Sequence, residues 1–401
     1  MTLSERDGKL DHWPGRRALQ YVRRRLADIE RNSNTVSRFA NNFATPREPD
    51  PAIAKASLVI WCTGAIMLFF VLIWTLFSSF HIDRLKIGWL IVLCALVAAL
   101  SAGIRNSIKI QAPALLIEGF AQFSFISLVA VLASYEIGSA GVPYRDTALA
   151  SVDSWLGLDW VTASRFVANH PWIASLLRFG YKSFTWQPVI VICFLAISGS
   201  EKRLQQFMLA WVFALVITLG GLAIAPCQTA WVHFGGLTSV PDLAKQVGNG
   251  QFEALEALRS GGLRDLLDDS SLLGLVSFPS FHTTGAMLYI FALWGCSSLR
   301  WPTVALNVTL ILATPVIGAH YFIDLAGGAA VAAAALALAS LVMTNLATGR
   351  LPVSAPKTAS THYSPQFLDL VRGAGRDSRE DVGLIVDARV CSCFSFDSGE
   401  A

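Results

Sequence analysis

The sequence predicts an all-α fold: a polytopic bundle of about eight membrane-spanning helices. Three observations carry that expectation. Of the 401 residues, 54% are hydrophobic and only 15% charged. Mean hydropathy is +0.52, and long apolar runs recur along the chain. A soluble domain carries about 25% charged residues, so the bilayer is the expected solvent. The net charge of +3 is small and scattered, which excludes a nucleic-acid surface.

Residues 1–55 are polar and hold eleven Lys or Arg. They have no apolar core of the kind a cleaved signal needs, so the first apolar run is expected to stay as an anchor. Within them, 16–43 is a basic amphipathic stretch suited to the anionic inner leaflet, with a solvated basic arm as the alternative. A membrane helix takes about 20 mostly apolar residues. The runs that qualify, some of them short, are 56–80, 87–104, 113–135, 185–199, 205–225, 282–299, 302–316 and 319–346. The first two form an N-terminal hairpin over 56–112, and the rest a second unit over 113–346. Residues 347–401 are rich in Ser, Thr, Pro and Gly and are expected to be a disordered cytoplasmic tail. Four of the seven cysteines lie inside apolar runs and Cys227 follows one, so no disulfide framework is implied. The tail pair Cys391 and Cys393 lacks the companions a metal site needs.

An even number of spans puts both ends on one side. The basic N-terminus and the links carrying Arg105, Lys109, Lys202, Arg203 and Arg300 place that side in the cytoplasm. Arg84 and Lys86 in the first link run against the rule locally. Two long segments, 136–184 and 226–281, then fall outside, with the Pro315–Gly318 link beside them. The first holds Asp146, Asp153, Asp159 and Trp160 and then an apolar-polar pattern suited to helices at headgroup level; a structural collar and a substrate-facing lid both fit it. The second contains a candidate cap helix around Asp242–Leu267. Glu118, the one acid well inside a span, is expected to snorkel or pair.

Two motifs open helices at these outer positions. One is Ser277-Phe278-Pro279-Ser280-Phe281-His282-Thr283-Thr284; the other runs from Gly318-Ala319-His320-Tyr321 through Asp324 to Gly327-Gly328. Pro279 and Ser280 are helix-opening residues, and Pro315 and Gly318 break the chain so that His320 is expected in a first helical turn. A helix N-terminus favours anions through its unpaired N–H groups and its dipole, so two such ends side by side can cradle a phosphate. His320 and Asp324 are four residues apart and share a helix face, so the carboxylate can fix the imidazole tautomer and support an imidazolium. An ionisable pair in an apolar helix is costly unless it works or is well paired. Two His and one Asp satisfy the count of a metal site, but Ser280 and the helix ends explain the pattern without one, and no metal or cofactor is called for.

These residues resemble the type-2 phosphatidic acid phosphatase superfamily, whose second and third signatures are Pro-Ser-x-His and a later His-x-x-x-Asp. Phe281 in place of the common Gly, and the style of Gly-x-His-Tyr-x-x-Asp-x-x-Gly-Gly, look closest to the inositol phosphorylceramide synthase-like branch. The segment Tyr144-Arg145-Asp146 to Gly157-Leu158-Asp159-Trp160, with Tyr181 and Gln187, is similar to that branch as well. The resemblance covers about 113–346 and implies that six of the spans form a phosphatase-like core. It implies that His320 attacks phosphorus, Asp324 orients it, His282 protonates the leaving alkoxide and Ser280 holds a phosphate oxygen. The expected partners are a membrane lipid phosphate and the bilayer. The expected place is a plasma or inner membrane with the site on the extracytoplasmic side.

Two departures stand out. Ala313-Thr314 occupies the place of the Ser-Arg that opens the third signature, and Lys182 to Pro188 is only a shortened echo of the first, leaving Lys182 and Gln187 as candidate phosphate contacts. Fewer cations weaken the hold on a monoester dianion relative to a diester. Hydrolysis to free phosphate and transfer of a phospho-headgroup to an alcohol acceptor therefore both stay open. A non-enzymatic transporter or scaffold using His320 and Asp324 as a proton relay is the reading of another class. It calls for broken helices in matching halves, and no internal repeat is evident.

Overall fold

The computed structural model describes residues 50–77, 111–243, 250–260 and 274–349, with a few single helical positions between 92 and 103. The basic stretch 16–43, most of the expected span 87–104 and the tail cysteines lie outside the described residues. Among the described residues every regular element is helical. Within a bilayer each backbone polar group has to be satisfied inside its own segment or a closed barrel, and apolar runs of this length do so as helices.

The order is α1 (Pro51–Phe77), α2 (Gln111–Ser139), α3 (Asp146–Trp155), α4 (Trp160–Ala168), α5 (Pro171–Ser183), α6 (Gln187–Ile197) and α7 (Glu201–Ile224). It continues with α8 (Ala230–His233), α9 (Gly236–Ser239), α10 (Gly250–Arg259), α11 (Phe281–Leu293), α12 (Ser297–Ile317) and α13 (Phe322–Ala347). Five of these, α1, α2, α7, α12 and α13, are long and apolar enough to cross a membrane, and α5 with α6, bent by 51°, makes a sixth if the pair is one broken span. The 13-residue α11 is apolar but shorter. The expected spans 282–299 and 302–316 are thus divided differently: the first helix stops at Leu293, before Gly295, and the next begins at Ser297 with Pro302 inside it.

The middle of the bundle is α7, which packs against α1, α2, α11 and α13. It is apolar all round, as a helix surrounded by others must be, and buries Leu204, Phe207, Met208, Trp211 and Leu222. Gly221 lets it touch the loop before α11, since a Cβ there would lie 2.2 Å from Pro279 Cδ. Glu118 pairs as expected: Ser57 of α1 donates to its carboxylate, and Gln122 Nε2 donates to Ser57 Oγ at 2.9 Å.

A smaller core sits where α3, α4, α8 and α12 meet, around Trp160, Trp231, Ile317 and Tyr321. Trp160 is buried and its indole N–H donates to the Pro315 carbonyl at 2.8 Å, so the segment 144–184 is bolted to the bundle. Its other face exposes Trp155, Trp172 and Phe179, the aromatic surface of helices at a membrane boundary. The expected cap helix is the ten-residue α10, which packs on the end of α2. Leu255 and Leu258 cover Gly138, and Arg259 Nε donates to the Gly138 carbonyl at 3.1 Å.

Candidate active site

His320 stands two residues before α13, not inside its first turn as the motif suggested. The chain turns sharply to put it there. Ala319 has φ of 57°, in the left-handed region that few residues other than glycine adopt. At Gly318 a Cβ would lie 2.6 Å from the Thr314 carbonyl and 2.7 Å from the Tyr181 ring. The turn still allows the pairing expected from the four-residue spacing: His320 Nδ1 lies 3.0 Å from Asp324 Oδ2. The same oxygen accepts the Tyr321 N–H at 3.0 Å. Both side chains are buried. With Nδ1 engaged, Nε2 is the nitrogen left for chemistry, and among the described residues nothing bonds to it.

The next two N–H groups of α13 are also taken. Asp153 of α3 accepts from Phe322 at 2.7 Å and from Ile323 at 2.8 Å, one carboxylate oxygen for each. Burial pushes the Asp153 carboxyl above its ordinary range, against the pull of those two donors. Asp146, seven residues earlier on the same helix face, accepts from the Tyr321 hydroxyl at 2.8 Å and from the Gln228 N–H at 3.0 Å. The α13 end is therefore closed by carboxylates and does not share in cradling an anion. Sequence reasoning noted both acids but gave neither a task. The available signal was their spacing: two acids on one face of a short helix in an otherwise apolar segment.

The α11 end is different. Ser280 caps it, its Oγ accepting from the Thr283 N–H at 3.3 Å. Among the described residues nothing accepts from the N–H groups of Phe281 and His282. The two helix ends touch: Ser280 N–H donates to the Asp324 carbonyl at 3.1 Å, and Thr284 Oγ1 donates to the Gly328 carbonyl at 2.9 Å. Gly328 makes the crossing possible, since a Cβ there would lie 2.4 Å from the Ser280 carbonyl oxygen. His282 is gripped between the rings of Tyr181, stacked at 4.3 Å, and Phe184 at 4.5 Å. Its Nδ1 lies 3.4 Å from the Tyr181 hydroxyl. The two imidazoles meet edge to face, with ring centroids 6.1 Å apart and planes at 67°.

The structure thus brings together His320, Asp324, His282 and Ser280. Lys182 is exposed at the last turn of α5. Gln187 is buried, its amide donating to Ser183 Oγ at 2.9 Å and accepting from Asn307 at 2.8 Å. That amide ties α6 to α5 and α12. Among the described residues no three His, Cys, Asp or Glu side chains are grouped so as to share a metal ion. A cavity of about 360 Å³ opens beside His282 and runs between α2, α7 and α11.

Residues 147–338 match the model of the PAP2 superfamily. That stretch is just under half of the chain. It takes in Asp153 and the rest of α3 after Asp146, both histidine motifs and most of α13. The match supports an enzyme of the phosphatase or phosphotransferase kind; it does not reach the finer likeness to the inositol phosphorylceramide synthase-like branch. No curated protein and no solved structure matches the chain.

Proposed function

We propose that the protein is a membrane-embedded lipid phosphatase or phosphotransferase working through a phosphohistidine on His320. One observation carries this reading. An imidazole whose Nδ1 is held by a buried carboxylate at 3.0 Å has its other nitrogen free, opposite a second imidazole with its centroid 6.1 Å away. In the first step His320 Nε2 attacks phosphorus, an N–P bond forms, and the P–O bond to the lipid alkoxide breaks. His282 gives its proton to that alkoxide, and Asp324 supports the charge growing on His320. The phosphoryl oxygens lie against the N–H groups of Phe281 and His282 and the Ser280 hydroxyl, where the helix dipole favours negative charge. In the second step His282 takes a proton from water or an alcohol, whose oxygen attacks phosphorus and releases His320. The positive-inside bias of residues 1–55 supports an extracytoplasmic site.

Transfer to an alcohol, as in the inositol phosphorylceramide synthase-like branch, is the second reading. Thr314 stands where the superfamily signature carries Arg, and its hydroxyl donates to the Leu310 carbonyl at 2.9 Å. A site without that cation suits a diester better than a monoester dianion. A product assay with and without candidate alcohols separates the two.

The mechanism is tested by rapid-quench trapping of acid-labile, base-stable phosphohistidine. His320→Ala should form none with any substrate. His282→Ala should still be phosphorylated by a nitrophenyl phosphodiester, whose leaving group needs no proton, but not by an alkyl lipid ester. An intermediate in His320→Ala sinks the nucleophile assignment. Equal failure on both substrates by His282→Ala sinks the acid.

A further inference from the structure

The cavity beside His282 is partly open and measures about 360 Å³, within the range of ligand sites. Its walls are graded. His282, Thr185, Ser134 and Thr218 line the part level with the catalytic end, whereas Ala130, Val131 and Leu215 line the part that runs inward. On α2 the lining positions extend from Phe123 to Ser134, about 16 Å of helix at 1.5 Å per residue. Phe123 and Trp211 meet at the deep end with ring centroids 4.8 Å apart. Trp211 is fixed there, its indole donating to Ser127 Oγ at 3.2 Å and its ring set edge-on to Phe281 at 5.0 Å.

We propose that this slot takes one hydrocarbon chain of the phosphate-bearing lipid, and that the Phe123–Trp211 ring pair is its floor and limits chain length. The proposal rests on the catalytic reading above, because it takes the phosphate to sit at His282. Below that residue the walls are apolar except for Ser127, whose Oγ is already engaged by the Trp211 indole, so they match an alkyl or prenyl chain and not a sugar or a peptide. An empty apolar slot would forfeit the dispersion contacts of its lining. A chain moving from bilayer to slot exchanges one hydrocarbon medium for another, so what it gains is chiefly a fixed position for the phosphorus. The slot therefore acts on rate and chain selectivity more than on gross affinity.

The test uses the full chain in nanodiscs with a series of single-chain lipid phosphates carrying a diazirine at increasing distance from the phosphate. Crosslinks are mapped by mass spectrometry. Labels near the phosphate should fall beside Thr218, and the deepest on Phe123, Trp211 or Leu215. Excess unlabelled lipid phosphate should displace them, and excess phosphatidylcholine should not. Ala130→Phe, which fills the slot, should lower deep labelling by roughly tenfold or more. Phe123→Ala should move the preferred chain length upward, with the long-to-short ratio of kcat/KM rising roughly tenfold. Deep labels confined to bundle-exterior residues such as Phe69 and Phe70, or unchanged by Ala130→Phe, would overturn the proposal. Equal displacement by phosphatidylcholine would do so too, making the slot a site for bystander lipid. Labelling needs no turnover, so its pattern judges the slot, while loss of the trapped phosphohistidine judges the catalytic reading.

Discussion

The N-termini of α11 and α13 meet at one end of the bundle, yet their first-turn N–H groups have opposite fates. At α13 the donors of Tyr321, Phe322 and Ile323 all go to carboxylates, one to Asp324 and two to Asp153. At α11 a neutral hydroxyl takes the Thr283 donor, and nothing among the described residues takes those of Phe281 and His282. Bringing a phosphate dianion to a helix end already carrying a carboxylate costs repulsion as well as desolvation. The contrast divides the labour. The α13 end holds the group that attacks, and the α11 end is the one electrostatically open to the group attacked.

The strongest way to break the pairing is to push the ends apart. Gly328→Ala puts a Cβ 2.4 Å from the Ser280 carbonyl oxygen, a backbone atom that cannot swing aside. A shift of about 1 Å between the ends should lower phosphohistidine formation by roughly a hundredfold or more. Gly220→Ala is the control, since nothing lies within 4 Å of a Cβ there, and its quench-flow rate should match the parent.

Next in size is the acid that closes α13. Asp153→Ala leaves the part-buried N–H groups of Phe322 and Ile323 without their acceptors, at most about 1–3 kcal/mol for each. Thermal unfolding in detergent should drop by several degrees, and the rate of phosphoenzyme formation by roughly tenfold as His320 loses its register. Asp153→Asn keeps one carbonyl acceptor and should fall between. If both variants unfold like the parent and react at its rate, Asp153 does not hold the nucleophile.

The bundle was legible because its signal is additive over twenty residues: composition and long apolar runs leave a bilayer little choice but helices. Finer boundaries were not, since Pro302 reads as a helix start and proves internal, while Gly295 marks the break. The four residues gathered at the site were legible through short-range spacing, the Pro-Ser opening and the His320 to Asp324 interval. The task of Asp153 was not, because it acts on residues 169 and 170 positions away, and one-dimensional pattern carries no record of that contact. The same holds for Gln187, whose partner Asn307 is 120 residues away. An isolated polar residue before an apolar run looks equally suited to a phosphate and to another helix.

The smallest effect is also the one that best sharpens the comparison, because Ser280 has two separable tasks at the open end. Its Oγ caps α11 by accepting from the Thr283 N–H, and in the proposed mechanism its O–H donates to a phosphate oxygen. Ala removes the hydroxyl and makes a poor cap. Gly also removes the hydroxyl but costs the cap only a few tenths of a kcal/mol, whereas alanine costs about 1 kcal/mol. Ser280→Ala should therefore melt a few degrees below the parent and Ser280→Gly close to it. If the hydroxyl holds phosphate, the two variants should nevertheless lose the same factor in phosphohistidine formation, roughly tenfold for one lost hydrogen bond to a charged group. Rates that follow the melting temperatures, with Gly reacting like the parent, would reduce Ser280 to a cap and leave the backbone N–H groups of Phe281 and His282 as the whole of the anion site.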